Sequence, residues 1–140
     1  MANRRSITLH PPIRRQDAWG SGEFGESRGA SRIHKGVDFA CAPISQVCAV
    51  SDGKCTKVGY PYADTQKYTY VEITTANGDR ERYFYVDALV VVGDTVVEGD
   101  VIGWTQDLTG RYPNITNHLH FEVIRGKDYL HPLDYLGGYL

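Results

Sequence analysis

Hydrophobic and polar positions alternate with period two through much of this chain. In "NHLHFEV", residues 117–123, Leu119, Phe121 and Val123 fall on one face of an extended segment, and His118, His120 and Glu122 fall on the other. Short runs of Val, Thr, Tyr and Ile recur along the sequence, separated by Gly or Asn-Gly. They predict strands over residues 37–40, 46–50, 54–59, 68–75, 81–86, 101–105 and 118–124. "SDG" at 51–53 and "ANGD" at 76–79 are turn signals, and the Asn-Gly pair predicts a hairpin between its flanking strands. No stretch keeps a 3.6-residue period over ten positions, so helices are expected to be short or absent. The fold class is therefore all-β, with an antiparallel sheet core.

Two stretches lack this alternation. Residues 1–33 are rich in Gly, Ser, Arg and Pro and read as irregular. Residues 107–117, "DLTGRYPNITN", form a long polar connection that opens onto the histidine strand, where a loop can shape a substrate groove. The expected organisation is an N-terminal arm at 1–19 and a single catalytic domain at 20–140.

Composition narrows the function classes. The 140 residues suit one domain with an ordinary core, and a net charge of −2 gives no electrostatic case for nucleic acid or an anionic membrane. Residues 88–92 are the longest purely apolar run, far short of a membrane span. The basic start "MANRRSITLHPPIRR" is not followed by an apolar stretch, so the expectation is synthesis in the cytoplasm without a signal peptide. Cys41, Cys48 and Cys55 recur every seven residues in apolar or strand-like surroundings without a C-x-x-C motif, which predicts reduced core thiols.

The candidate chemistry lies in two motifs. Backbones of residues i and i+2 on a strand are about 7 Å apart, so the rings of His118 and His120 can converge on one point. In "HKGVDFA", residues 34–40, Asp38 projects from a strand opposite to Val37 and Phe39, with His34 on the loop just before it. A carboxylate among such neighbours is costly to bury unpaired; a cation resolves the cost, and so does an arginine such as Arg32. His34, Asp38 and one histidine of the pair make a three-ligand N/N/O set that suits Zn²⁺ with a fourth position open, leaving the other histidine as a base. Spacing does not choose between His118 and His120.

At these residues the chain resembles the lysostaphin-like zinc metallopeptidases, which cut peptide bonds in bacterial peptidoglycan. "HKGVDFA" and "HLHFEV" carry the resemblance in order. "GEFGESRGASRI" ahead of the first motif, "QVCAVSDGKCTKVG", "VVVGDTVVEGDVIGWT" and "HPLDYL" extend it from about Gly20 to Leu136. The second of these resembles a hairpin of the family. The resemblance implies that His34, Asp38 and His120 bind zinc, that His118 is the catalytic histidine, and that the site lies at the floor of a loop-bounded groove. It also implies peptidoglycan peptides as the partner. A monomer is expected, acting on the wall after release as a phage endolysin or virion-associated protein.

One departure stands out. The family usually carries a further active-site histidine in a Tyr-x-His-Leu stretch, where this chain reads "YFYVDAL", residues 83–89. Matching the tyrosines puts Tyr85 in the histidine's place; a gap-free count back from Gly93 puts Phe84 there. Tyr85 is preferred, because its hydroxyl can still donate a hydrogen bond. His10 and His131 are assigned to no site. The alternative to a zinc endopeptidase is a non-catalytic peptidoglycan-binding or structural domain of the same fold, favoured by the missing histidine and opposed by retention of the other four residues. A biotinyl- or lipoyl-carrier-like domain is suggested only by the Gly-Asp turns and leaves the histidines unexplained.

Overall fold

The computed structural model describes residues 13–14, 17, 19–25 and 33–137. His10 and Arg32 lie outside them. Among the described residues there are ten strands: β1 Val37–Ala40, β2 Gln46–Cys48, β3 Gly53–Gly59, β4 Tyr70–Thr74, β5 Arg80–Phe84, β6 Val86–Ala88, β7 Thr95–Val96, β8 Val101–Thr105, β9 His118–Arg125 and β10 Asp128–Leu130. One short helix, α1, spans Pro132–Tyr135; Pro132 presets its first turn and the His131 ring accepts from the Leu133 N–H. Every strand pairing is antiparallel.

The larger sheet runs in the order β1-β9-β5-β4-β3-β7, and β2-β8-β6 form a second, three-stranded sheet. β9 is the longest strand and shares one edge between two partners. β1 takes its first half, from His118 to Phe121, and β10 takes Val123 to Arg125. The register then carries the period-two pattern across the sheet. Val37, Phe121, Tyr83, Val71 and Val58 lie in one row, and Asp38, His120, Phe84, Tyr70 and Gly59 lie in the next. The first row faces the core that Val47, Val50, Val86 and Ile102 complete from the second sheet's side. Neighbouring rows face opposite ways, so the second row faces the candidate site.

The "ANGD" hairpin forms between β4 and β5, with Gly78 at φ 90 and its N–H donating to the Thr75 carbonyl. "SDG" turns the chain from β2 to β3, but these strands belong to different sheets, so the expected hairpin is instead a crossover. The run expected as one strand over 81–86 is cut at Tyr85, whose φ of 70 is left-handed and sends β6 into the second sheet. β7 and β10 are too short for periodicity to register. Only Cys55 is a true core residue; Cys41 and Cys48 are half-buried, which corrects the expectation that all three lie in the core. All three are free, and burial pushes each thiol up, Cys41 to about 11.

Candidate metal centre

β1 and β9 build the centre through their register, which sets Asp38 directly opposite His120. His34 precedes β1 and turns back onto it. Its Nε2 lies 3.0 Å from Asp38 Oδ1 and 2.9 Å from His120 Nδ1, and His120 Nδ1 lies 2.8 Å from Asp38 Oδ1. Three donor atoms thus meet at one point. Gly36 makes this possible: a Cβ there would come within 2.3 Å of the Phe121 carbonyl and 2.9 Å of the His120 ring. Among the described residues this is the one His/Cys/Asp/Glu group arranged to hold a metal.

Each donor is backed by a second partner. His34 Nδ1 sits 2.9 Å from the Glu23 carbonyl. A carbonyl only accepts, so Nδ1 carries the hydrogen and Nε2 keeps its lone pair for the centre. His120 Nε2 donates to Glu122 Oε1 at 2.9 Å. Asp38 Oδ2 accepts from Arg14 Nε at 3.0 Å, leaving Oδ1 for the histidines. Such outer contacts fix ring orientation and ligand basicity at metal sites. The arginine that satisfies Asp38 is therefore Arg14, held in turn by Asp17 and the Gly20 carbonyl. Ile13 and Arg14, read from sequence as part of a separate arm, pair with β1: Ile13 bridges Phe39, and the Arg14 N–H donates to the Asp38 carbonyl.

The donor set fits zinc. Ligand atoms about 2.0–2.2 Å from a tetrahedral ion lie about 3.3–3.6 Å apart, so the triangle needs to open by only a few tenths of an ångström. Without a metal, charge and proton fill the same space. Burial would raise the Asp38 carboxyl, but His118, His120 and His34 hold it well below the usual carboxylate range. Burial would lower His120, but its bonds to Asp38 and Glu122 push it up to about 9.

His118 lies beside this triangle, 4 % exposed, with Nδ1 2.8 Å from the Thr116 carbonyl. The same tautomer argument leaves Nε2 unprotonated, 3.5 Å from Asp38 Oδ2. Burial lowers its pKa, partly offset by Asp38, so His118 is a neutral base near neutral pH. The polar face of β9 is thus roofed rather than washed by water. Tyr85 stands edge-on to His118 at 5.5 Å, and Phe84 edge-on to His120 at 5.1 Å. Both candidates for the missing histidine line the groove; only Tyr85 brings a polar atom.

The groove encloses about 710 Å³, with Trp19, Pro61, Tyr62, Tyr112 and Ile115 forming walls above the histidines. Loop 107–117 supplies one wall and packs on its own small cluster of Leu108, Ile115 and Tyr68. Asn117 closes the loop's neck: its side chain accepts from the Leu108 N–H and donates to the Gln106 carbonyl. Arg14, Glu122, Tyr62 and Tyr112 were not singled out from sequence. Glu122 shares the histidines' face and so had a signal; Arg14 and the two tyrosines sit in irregular segments and had none.

The model of Peptidase family M23 matches residues 32–132. Comparison with curated proteins gives no match. Among solved structures, the catalytic domain of the antimicrobial peptidase lysostaphin from Staphylococcus simulans is 26 % identical, with a TM-score of 0.66 over 85 % of this chain and 91 % of that one. A zinc-containing peptidase from Vibrio cholerae is 29 % identical, with a TM-score of 0.67 over 91 % of this chain and 38 % of that one. LytU is 26 % identical, with a TM-score of 0.68 over 81 % of this chain and 80 % of that one.

Proposed function

The chain belongs to peptidase family M23, and from that membership we propose that it is a zinc-dependent endopeptidase hydrolysing stem or cross-bridge peptides of bacterial peptidoglycan. The observation that carries this reading is the convergence of His34 Nε2, Asp38 Oδ1 and His120 Nδ1, each with an outer partner, at the floor of a groove beside a neutral His118. The zinc of the Vibrio cholerae peptidase and the antimicrobial activity named for lysostaphin favour it too.

His34, Asp38 and His120 would hold the ion. When bound, zinc supplies Lewis acidity toward the scissile carbonyl and the attacking water. His118 Nε2 takes a proton from that water and returns it to the leaving amine. Its charged form is stabilised by the Asp38 carboxylate 3.5 Å away. The Tyr85 hydroxyl, whose pKa burial raises far above its ordinary value, stays protonated and donates to the carbonyl oxygen as negative charge develops. The aromatic walls position the peptide and exclude water.

Purified walls from several bacterial classes, digested with and without chelator and analysed by mass spectrometry, test the proposal. New peptide termini in the metal-loaded sample alone are expected. The non-catalytic alternative rests on the absence of the histidine the family usually carries, where Tyr85 or Phe84 stands; wall binding without new termini would establish it instead.

A further inference from the structure

Besides its histidines, the groove is lined by three charged side chains, Arg14, Asp38 and Glu122. The first two are engaged with each other and with their neighbours. Arg14 gives Nε to Asp38 Oδ2, and its terminal nitrogens go to Asp17 and to the Gly20 and Ser21 carbonyls. Asp38 Oδ1 belongs to His34 and His120. Glu122 differs. Its Oε1 accepts from His120 Nε2 at 2.9 Å, but its Oε2 has no hydrogen-bond or ion-pair partner among the described residues.

Glu122 is only 8 % exposed, yet Oε2 meets water. Among the described residues, Ser51 Oγ alone is a fully buried side-chain polar atom without a partner. The groove is the opening that Glu122 lines. The cation across the sheet is committed elsewhere. Arg82 lies directly opposite Glu122 on β5, but its Nε donates to Glu72 Oε2 at 2.8 Å. Two carboxylates thus flank one guanidinium, and the one without a bond to it is the one in the groove. A carboxylate held in so enclosed a place loses much of its hydration, which a cationic donor arriving with the ligand would replace.

The surroundings narrow the chemistry of that cation. Phe84, paired with His120, stands beside Glu122 on the same face of the sheet and also lines the groove. An apolar ring next to a carboxylate suits a methylene stem with a charged head, as in a primary alkylammonium. One imidazole ring separates Glu122 from the donor triangle, so such a group would sit close to the bond being cut.

We propose that Glu122 is a specificity-determining residue whose Oε2 receives a primary ammonium of the bound peptide beside the metal ligands. The inference rests on the peptidase reading for what enters the groove. Wall peptides offer such a group on a diamino-acid side chain or at a free N-terminus.

Calorimetry with two pairs of synthetic stem peptides tests it, on zinc-loaded protein carrying His118→Ala in every arm to prevent hydrolysis. One pair differs only in lysine against Nε-acetyl-lysine, the other only in a free against an acetylated N-terminus. With Glu122 intact, at least one amine peptide should bind about tenfold tighter than its acetylated twin, as a charge-assisted hydrogen bond would give. The pair that shows the difference identifies the source of the ammonium. Glu122→Gln is isosteric, keeps an acceptor for His120 and removes the charge, so the ratio should fall to near one whatever the absolute affinities. Equal affinities in both pairs with Glu122 intact, no binding of any peptide, or a preference that survives Glu122→Gln would overturn the proposal. The same peptides incubated with protein that retains His118 separate the two readings. A Glu122-dependent preference without hydrolysis refutes the peptidase and leaves the ammonium site standing; hydrolysis without a preference does the reverse.

Discussion

A single carboxylate divides its two oxygens between opposite tasks. Asp38 offers Oδ1 to His34 and His120 and Oδ2 to Arg14. Removing His34 or Asp38 as alanine should abolish stoichiometric zinc, read by elemental analysis, while the circular dichroism of the sheet survives; full occupancy in both variants would refute the ligand assignment. Arg14→Ala leaves a carboxylate oxygen buried without its donor and should cost about 10–100-fold in zinc affinity. His118→Ala should keep its zinc and lose nearly all wall hydrolysis, because the other two histidines lining the groove, His34 and His120, are the proposed metal ligands. Tyr85→Phe should cost about 10²-fold in turnover, the loss expected for one oxyanion donor. At this scale the four histidine and aspartate positions were legible, since two short motifs contain them all. Arg14 was not, because the contact spans 24 positions from a segment with no periodic pattern.

The pairing of β1 with β9 is the element on which the centre depends. Gly36 lies where β1 begins, and its lack of a side chain lets the backbone pass within 2.3 Å, measured to an added Cβ, of the Phe121 carbonyl. Gly36→Ala should therefore force the strands apart. It should cost about 1–3 kcal/mol in urea denaturation and weaken zinc binding together with stability, where a surface change would alter neither. Period two located the strands that are long and one-sided, β9 and the β4–β5 hairpin above all. It missed the break at Tyr85, because tyrosine carries no turn signal and its positive φ is held by tertiary hydrogen bonds to Thr69 and Gln106. The hairpin joining β2 to β3 was implied by the family resemblance, and the "SDG" turn signal reports only that the chain reverses and not which strand it pairs with afterwards.

For the whole molecule, a metal held as proposed would compete with protons for one site. His120 is raised from 6.5 to about 9 in the metal-free fold, so that pairing stabilises fully below 6.5 and its contribution is lost as pH rises through about 9. Asp38 is depressed, so its contribution is present above 3.8 and lost as pH falls further. On the proposed reading, zinc would have to displace the His120 proton, and its binding energy would add to folding stability. The difference in Tm between zinc-loaded and chelator-treated protein should therefore widen from pH 6.5 to about 9; a constant difference would count against proton competition. The thiols should be silent in this range. Burial raises all three, so native protein should react slowly with thiol reagents, with half-buried Cys48 and Cys41 ahead of Cys55, and denatured protein should react at all three at once.

The neck formed by Asn117 makes the segment above it exchangeable. One side chain ties Leu108 to Gln106, and the next residue along the backbone begins the histidine strand. A graft that keeps Gln106 and Asn117 can change length and composition between them without shifting β9 by a residue, whereas a one-residue insertion after Asn117 would turn Leu119 and Phe121 toward the metal and bury the imidazoles in oil. The segment is built as a cassette on a fixed socket, and if the proposed peptidase reading holds, recasting its wall of the groove would redirect the scaffold to a different peptide while the histidines stay in place.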